Sequence, residues 1–254
     1  MVKMKGAKLE RKTYIKIINT NHIFEIYMYD RLNVCKPSLS DKKSLPGSSP
    51  SYDNNYARNC QTRRDTIRRL VSKNFDKGTS KFITLTFRDT ELFNIKDVKQ
   101  CNAEFKKFIK RLKYKYPNIR YVAVIEFQDK KGRGAVHYHM IMDVGFIPVK
   151  ELEKIWGLGW IGINKIDKVD NLGAYVIKYM TVENADDRLK GLKAYNCSTG
   201  LERPIEMVSW DIGRKEIDEI IKFYGLDKKK AVYFGKYDSE YAGECLYYQF
   251  NLNR

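Results

Sequence analysis

Residues 119–144 read "IRYVAVIEFQDKKGRGAVHYHMIMDV". An apolar run over 119–127 leads into a basic, glycine-containing turn at 129–134. A second β-rich run follows over 135–144. This pattern predicts a β-hairpin. Side chains alternate along a strand, so His137 and His139 project from one face and Tyr138 from the other, towards whatever helices pack there. The chain has only three histidines. Two of them therefore stand side by side on one strand, while His22 lies in the turn-like "NTNH" and reads as a polar turn residue.

The surrounding pattern fits this hairpin into a larger sheet. "KFITLTF" (81–87) predicts a strand with Phe82, Thr84 and Thr86 on one face and Ile83, Leu85 and Phe87 on the other. Residues 96–116 predict a helix, with Phe105, Phe108, Ile109, Leu112 and Tyr116 at helical spacing and Pro117 ending it. A short helix is expected after Pro148, a weak strand at 160–166, and a helix over 171–184 capped by Asp170 or Asn171. The order from 81 to 184 is then β-α-β-β-α-β-α. It predicts an α+β fold, a central antiparallel sheet with helices packed on one side. Outside it, hairpin signals at 13–29 and near the C-terminal end, a loop at 36–55, and helices at 59–75 and 215–225 are expected. The expected division is 1–75 (N-terminal hairpin, loop and basic helix), 76–190 (core) and 191–254 (C-terminal helix and hairpin).

Charge narrows the function classes. Lys and Arg number 48 against 31 Asp and Glu, a net charge of +17. Such an excess favours a polyanionic partner, nucleic acid above all. No apolar run is long enough to span a bilayer, and the first residues lack a signal-peptide core. A membrane partner is not expected. The five cysteines are odd in number and widely spaced, which fits neither a disulfide framework nor a CxxC zinc pattern. They read as reduced thiols in a cytoplasmic protein.

His137 and His139 form half of a metal site. Glu126 interrupts an apolar strand, where a carboxylate is costly unless paired or metal-bound. It lies just before the hairpin turn, so strand pairing can bring it opposite the histidines. A salt bridge to a lysine of the turn is the competing reading. Two nitrogens and one carboxylate leave coordination positions open for a phosphate oxygen and favour Mn²⁺ or Mg²⁺ over structural zinc. In "AYVIKYM", Tyr175 and Tyr179 fall at i and i+4 with Lys178 beside them. Core packing is one reading. Nucleophilic phenols eased by a nearby ammonium are the other. Candidate DNA contacts are Thr84 and Thr86 on strand 81–87, Lys130, Lys131 and Arg133 in the turn, Lys106 and Lys110 on helix 96–116, and Arg63 and Arg64 on helix 59–75.

Taken together, "FITLTF", "VHYHM" and "YVIKY" resemble, in order, the three motifs of the rolling-circle replication initiators of the His-hydrophobe-His endonuclease superfamily. The paired tyrosines are similar to those of small-phage and bacterial-plasmid replication-associated proteins. The resemblance covers about residues 80–184. It implies an enzyme that nicks and rejoins single-stranded or extruded origin DNA, with a divalent metal held by Glu126, His137 and His139. Tyr175 would attack first and form a 5′-phosphotyrosine bond, and Tyr179 would make the second transfer. Host polymerase would extend the freed 3′-OH in the bacterial cytoplasm. No GxxxxGK[ST] loop occurs, so a host helicase is expected as a partner. Residues outside the resemblance are expected to form a small second β unit with a role in origin recognition. Two alternatives remain. One is a related transposase or mobilisation relaxase, although the third histidine and N-terminal tyrosine usual in relaxases are missing. The other is a non-catalytic DNA-binding protein, which leaves the paired histidines unexplained.

Overall fold

The computed structural model describes residues 14–29, 52–91, 93–129, 132–180, 186–193, 195–210, 216–239 and 243–252. Lys130 and Lys131 lie outside them, as does part of the loop expected at 36–55. The chain divides into two compact units, Leu45–Arg203 and Met1–Ser44 with Pro204–Arg254.

The larger unit is built on a five-stranded antiparallel sheet. Its strands are β3 (Ser80–Thr86), β4 (Arg120–Phe127), β5 (Val136–Asp143), β6 (Ile161–Asn164) and β7 (Tyr195–Cys197), in the order β6-β3-β5-β4-β7. The β4–β5 hairpin forms as expected. Its turn is closed by Gly134 N donating to Gln128 O at 3.1 Å, and Gly132 and Gly134 take positive φ values of 69° and 61°. A residue with a Cβ would be strained at both positions.

One face of this sheet is covered by α2 (Val98–Lys115) and α3 (Val149–Trp156). Asp97 caps α2 by accepting from Lys99 N and Gln100 N at 2.8 and 3.2 Å, which meets two of the orphan donors at the helix start. Phe105, Phe108 and Leu112 then face the sheet, fully buried. Phe105 stacks on Tyr138 at 4.3 Å between centroids, an arrangement that adds about 1 kcal/mol beyond its area burial. Tyr138 Oη donates to Asn102 Oδ1 at 2.8 Å, so its hydroxyl is satisfied in the core. Arg111 ties the two helices together by donating to the carbonyls of Ile155 and Trp156.

The opposite face is not bare, as helices on one side alone would leave it. Two helices, α1 (Tyr52–Asn74) and α4 (Leu172–Ile177), pack there over Phe82, Val122, Val124 and Ile141, through Ile67, Val71, Phe75, Leu172 and Val176. The sequence reading grouped α1 with the N-terminal hairpin. It belongs instead to the larger unit, and its end is tied there too. Asn74 Nδ2 donates to Glu202 O at 2.9 Å and Glu202 N donates to Asn74 Oδ1 at 2.8 Å. The α+β antiparallel architecture stands, with helices on two faces.

The smaller unit is a second five-stranded antiparallel sheet. It is formed by β1 (Tyr14–Asn19), β2 (Ile23–Tyr29), β8 (Ile205–Trp210), β9 (Tyr233–Ser239) and β10 (Gly243–Asn251), in the order β8-β1-β2-β10-β9. The N-terminal and C-terminal hairpins are therefore not separate additions. Pairing of β2 with β10 joins them into one sheet. Helix α5 (Glu216–Phe223) covers one face, with Ile217 and Ile221 against Ile15, Ile17, Phe24, Ile26 and Phe250. In the β1–β2 turn, Thr20 Oγ1 accepts from Ile23 N at 2.8 Å and from His22 N at 3.3 Å, so His22 is a turn residue as read.

Candidate metal centre and tyrosine pair

Strand register assembles the site. Glu126 pairs directly with His137 across β4 and β5, Val124 pairs with His139, and on the other side Thr86 pairs with His137 and Thr84 with His139. Directly paired residues share a face. One patch of sheet therefore carries Glu126, both histidines and both threonines. One ligand atom from each of Glu126, His137 and His139 lies within 4.8 Å of the others.

The hydrogen bonds orient these ligands. His139 Nδ1 lies 3.2 Å from Thr84 Oγ1, and His139 Nε2 lies 2.5 Å from Glu126 Oε2. If Nδ1 carries the proton to Thr84, Nε2 turns a lone pair towards a carboxylate. Two such acceptors at this distance need a proton or a cation between them. His137 is 7% exposed, and its Nε2 has no hydrogen-bond partner. A buried imidazole nitrogen without a partner is costly unless it has a ligand to meet. Burial, and then the neighbouring His139, push the His137 imidazole down to about 4, so it is neutral near neutral pH and available as a ligand. This donor set fits a divalent ion of the Mn²⁺ or Mg²⁺ kind, the ion expected from the sequence.

The tyrosines hang over the same patch. Asn171 caps α4 through its side chain, accepting from Ala174 N at 2.9 Å. The helix is shorter than the expected 171–184. It ends at Ile177 and continues as a tighter turn through Tyr179 N to Val176 O and Met180 N to Ile177 O. Tyr175 thus sits in the helix and Tyr179 just beyond it, yet their hydroxyls stay 3.4 Å apart. The Tyr179 ring stacks on His139 with centroids 3.9 Å apart. Phe82 lies against both tyrosines, at 4.8 Å from Tyr175 and 5.1 Å from Tyr179. Lys178 Nζ lies 3.8 Å from the Tyr175 ring centroid. Burial and the Tyr179 hydroxyl raise the Tyr175 phenol above its usual value, and Lys178 pulls the other way without reversing it.

Gly173 lets this helix approach. A Cβ there would lie 2.3 Å from Arg68 O and 2.7 Å from Ser72 Oγ, both on α1. Only glycine permits this crossing without a shift of backbone. Neither Gly173 nor Phe82 was marked as a support of the site in the sequence. The signal for Gly173 was a glycine inside a helical pattern, which marks close packing.

The expected DNA contacts divide. Thr84 and Thr86 lie on the metal face, and Thr84 holds His139. Arg133 is near the hairpin turn, but its guanidinium is engaged, donating to Gln128 Oε1 and Phe87 O at 2.7 Å each. Lys106 and Lys110 are exposed on α2, across the sheet from the histidines. Arg63 and Arg64 are half-buried on α1, on the histidine side. Burial lowers the Arg64 guanidinium from its usual value.

Among the described residues no helix is long and apolar enough to cross a membrane. No curated protein and no solved structure matches the chain. A family model does match, over residues 80–184, the segment that runs from β3 past the tyrosine turn and holds the triad and both tyrosines. That segment belongs to the ORF2-type replication-associated protein family, consistent with a rolling-circle replication initiator.

Proposed function

We propose that this replication-associated protein is a metal-dependent nickase and strand transferase acting on single-stranded origin DNA. The observation that carries the reading is the convergence of two tyrosine hydroxyls, 3.4 Å apart, on a face where Tyr179 stacks on a histidine that is itself bonded to Glu126. Packing alone does not call for a carboxylate and an unpartnered buried imidazole nitrogen beneath the two rings.

A Mn²⁺ or Mg²⁺ ion held by Glu126, His137 and His139 would supply Lewis acidity to a phosphate oxygen. Tyr175 is the first nucleophile. Its Oη bonds to phosphorus while the bond from phosphorus to the 3′ oxygen breaks. The phenol proton is lost and the departing 3′ oxygen gains one, leaving a 5′-phosphotyrosine and a free 3′-OH. The Tyr175 phenol is held protonated by burial, so proton loss accompanies attack rather than preceding it. Lys178, beside the ring, favours the developing negative charge. Tyr179, in reach of the same point, makes the second transfer that rejoins the strand. Extension of the 3′-OH by a host polymerase and unwinding by a host helicase would complete replication.

Incubation with single-stranded DNA from the element's own origin tests the reading. The expected result is cleavage with Mn²⁺ or Mg²⁺, none with EDTA, and a covalent adduct mapping to Tyr175 or Tyr179. A protein that binds the strand with the metal present and never cleaves it would be a non-catalytic binder.

A further inference from the structure

A second aromatic group shares the metal face. Trp156 and Trp160 are four residues apart, and the fold treats them oppositely. Trp156 is fully buried and donates its Nε1 to Thr86 O at 3.1 Å, whereas Trp160 is 61% exposed. Among the described residues no aromatic ring packs on Trp160. A large indole left in water beside a buried one needs a reason other than core formation.

Its position follows from register. Thr84 pairs with Gly162, and Thr86 N donates to Trp160 O at 2.9 Å. The row across the sheet is therefore Trp160, Thr86, His137 and Glu126. Trp160 stands two strands from His137, roughly 10 Å at the usual strand spacing. Gly162 then places the ring. A Cβ at Gly162 would point to the Thr84 side and meet Trp160 Cη2 at 2.4 Å and Cζ3 at 2.9 Å. The indole thus lies across β6 on the metal face, in the space that a side chain at 162 would fill. Gly159 fixes the approach of this segment, since a Cβ there would lie 2.1 Å from Thr86 O.

We propose that Trp160 is a base-stacking platform that holds a nucleotide next to the scissile phosphate. This rests on the reading of the triad as the cleavage site for single-stranded DNA. Every base offers a π-face, so an exposed ring beside such a site grips a strand without reading its sequence. The ring's inner face lies against β6 and its outer face is open, which leaves one surface for one base. Set in the row of the metal ligands, the platform fixes register: a stacked base places the neighbouring phosphate over His137.

The test uses the full chain and a fluorescein-labelled, mixed-sequence single-stranded oligonucleotide in EDTA, so that binding is read without cleavage. Trp160→Ala should weaken binding by about 5- to 150-fold, the usual effect of losing one stacked base, while Trp160→Phe keeps most of it. An abasic site walked along the oligonucleotide should weaken binding at one position to the native protein and at no position to Trp160→Ala. Should the alanine variant fold poorly, Trp160→Phe decides: the strand quenches indole fluorescence in the native protein and should not do so in this variant. Binding by a folded Trp160→Ala within twofold of native, or quenching that persists in Trp160→Phe, overturns the proposal while native nicking stands. A native protein that neither binds nor nicks the strand overturns the nickase reading and this proposal together.

Discussion

The ring of Tyr179 lies flat on the ring of His139, with centroids 3.9 Å apart and planes 24° from parallel. A residue just past the end of α4 is thereby tied to a strand forty residues earlier in the chain. The stacking holds one hydroxyl over the metal ligands and leaves the second, on Tyr175, 3.4 Å from it.

The two phenols should separate by function. Tyr175→Phe removes one oxygen and leaves the ring against Phe82. Folding and strand binding should survive, while initial nicking falls by several orders of magnitude. Tyr179→Phe keeps its stack on His139, so first cleavage should continue and rejoining should fail. Denaturing gels of nicked and rejoined oligonucleotide, with mass spectrometry of trapped adducts, read both steps. Adducts on Tyr175 alone in every variant would make this a single-tyrosine enzyme.

Thr84 should tune the metal without touching it. Its hydroxyl, 3.2 Å from His139 Nδ1, fixes the ring and tautomer that turn Nε2 towards Glu126. Thr84→Val keeps shape and removes the hydroxyl. Mn²⁺ affinity measured by calorimetry should fall by about 10- to 100-fold, as for other supports of metal-bound histidine. His137→Ala should go further and abolish both Mn²⁺ binding and cleavage. It should leave much of the strand affinity, which comes mainly from phosphate contacts.

Gly173 is the closest crossing of α1 and α4. Gly173→Ala puts a methyl group into contact with Arg68 O and Ser72 Oγ. Overpacking of this kind costs about 1–3 kcal/mol, so Tm should drop by roughly 2–12 °C. Cleavage should fall more than stability implies, because the helix that shifts is the one carrying Tyr175. Melting followed by circular dichroism, beside nicking assays well below Tm, separates the two effects. An unchanged Tm would mean the crossing is looser than described.

Cys101 supplies a prediction in pH. Burial, and secondarily Asp97, push its thiol up to about 12. The unfolded thiol ionises near about 8.5. The group's folded pKa is raised, so its contribution to stability is complete below about 8.5 and is lost as pH climbs towards 12, at about 1.4 kcal/mol per pH unit. Urea midpoints measured from neutral to alkaline pH should fall more steeply in the native chain than in Cys101→Ala. Iodoacetamide should label exposed Cys197 in the folded protein and reach Cys101 only on unfolding.

Much of the site was legible in residues 119–144 and 175–179 because its rules are local. Strand alternation alone sets His137 and His139 on one face and Tyr138 on the other. A short hairpin turn confines Glu126 to the neighbourhood of the histidines, and helical spacing sets Tyr175 and Tyr179 near one another. The same local rules carried the order β3-α2-β4-β5-α3-β6-α4. Tertiary structure decided the rest, through contacts between segments far apart in sequence. Only packing shows that α1, a helix ahead of the core, crosses α4 at Gly173 and gives the histidine face its own helical layer. Pairing of β2 with β10, more than two hundred residues apart, turns two hairpins into one sheet, and an edge strand carries no local mark of the partner it will find. The same holds at β6, where pairing with β3 sets Trp160 in line with His137. Local pattern determines which way a side chain points along its own strand, and long-range pairing determines what it points at.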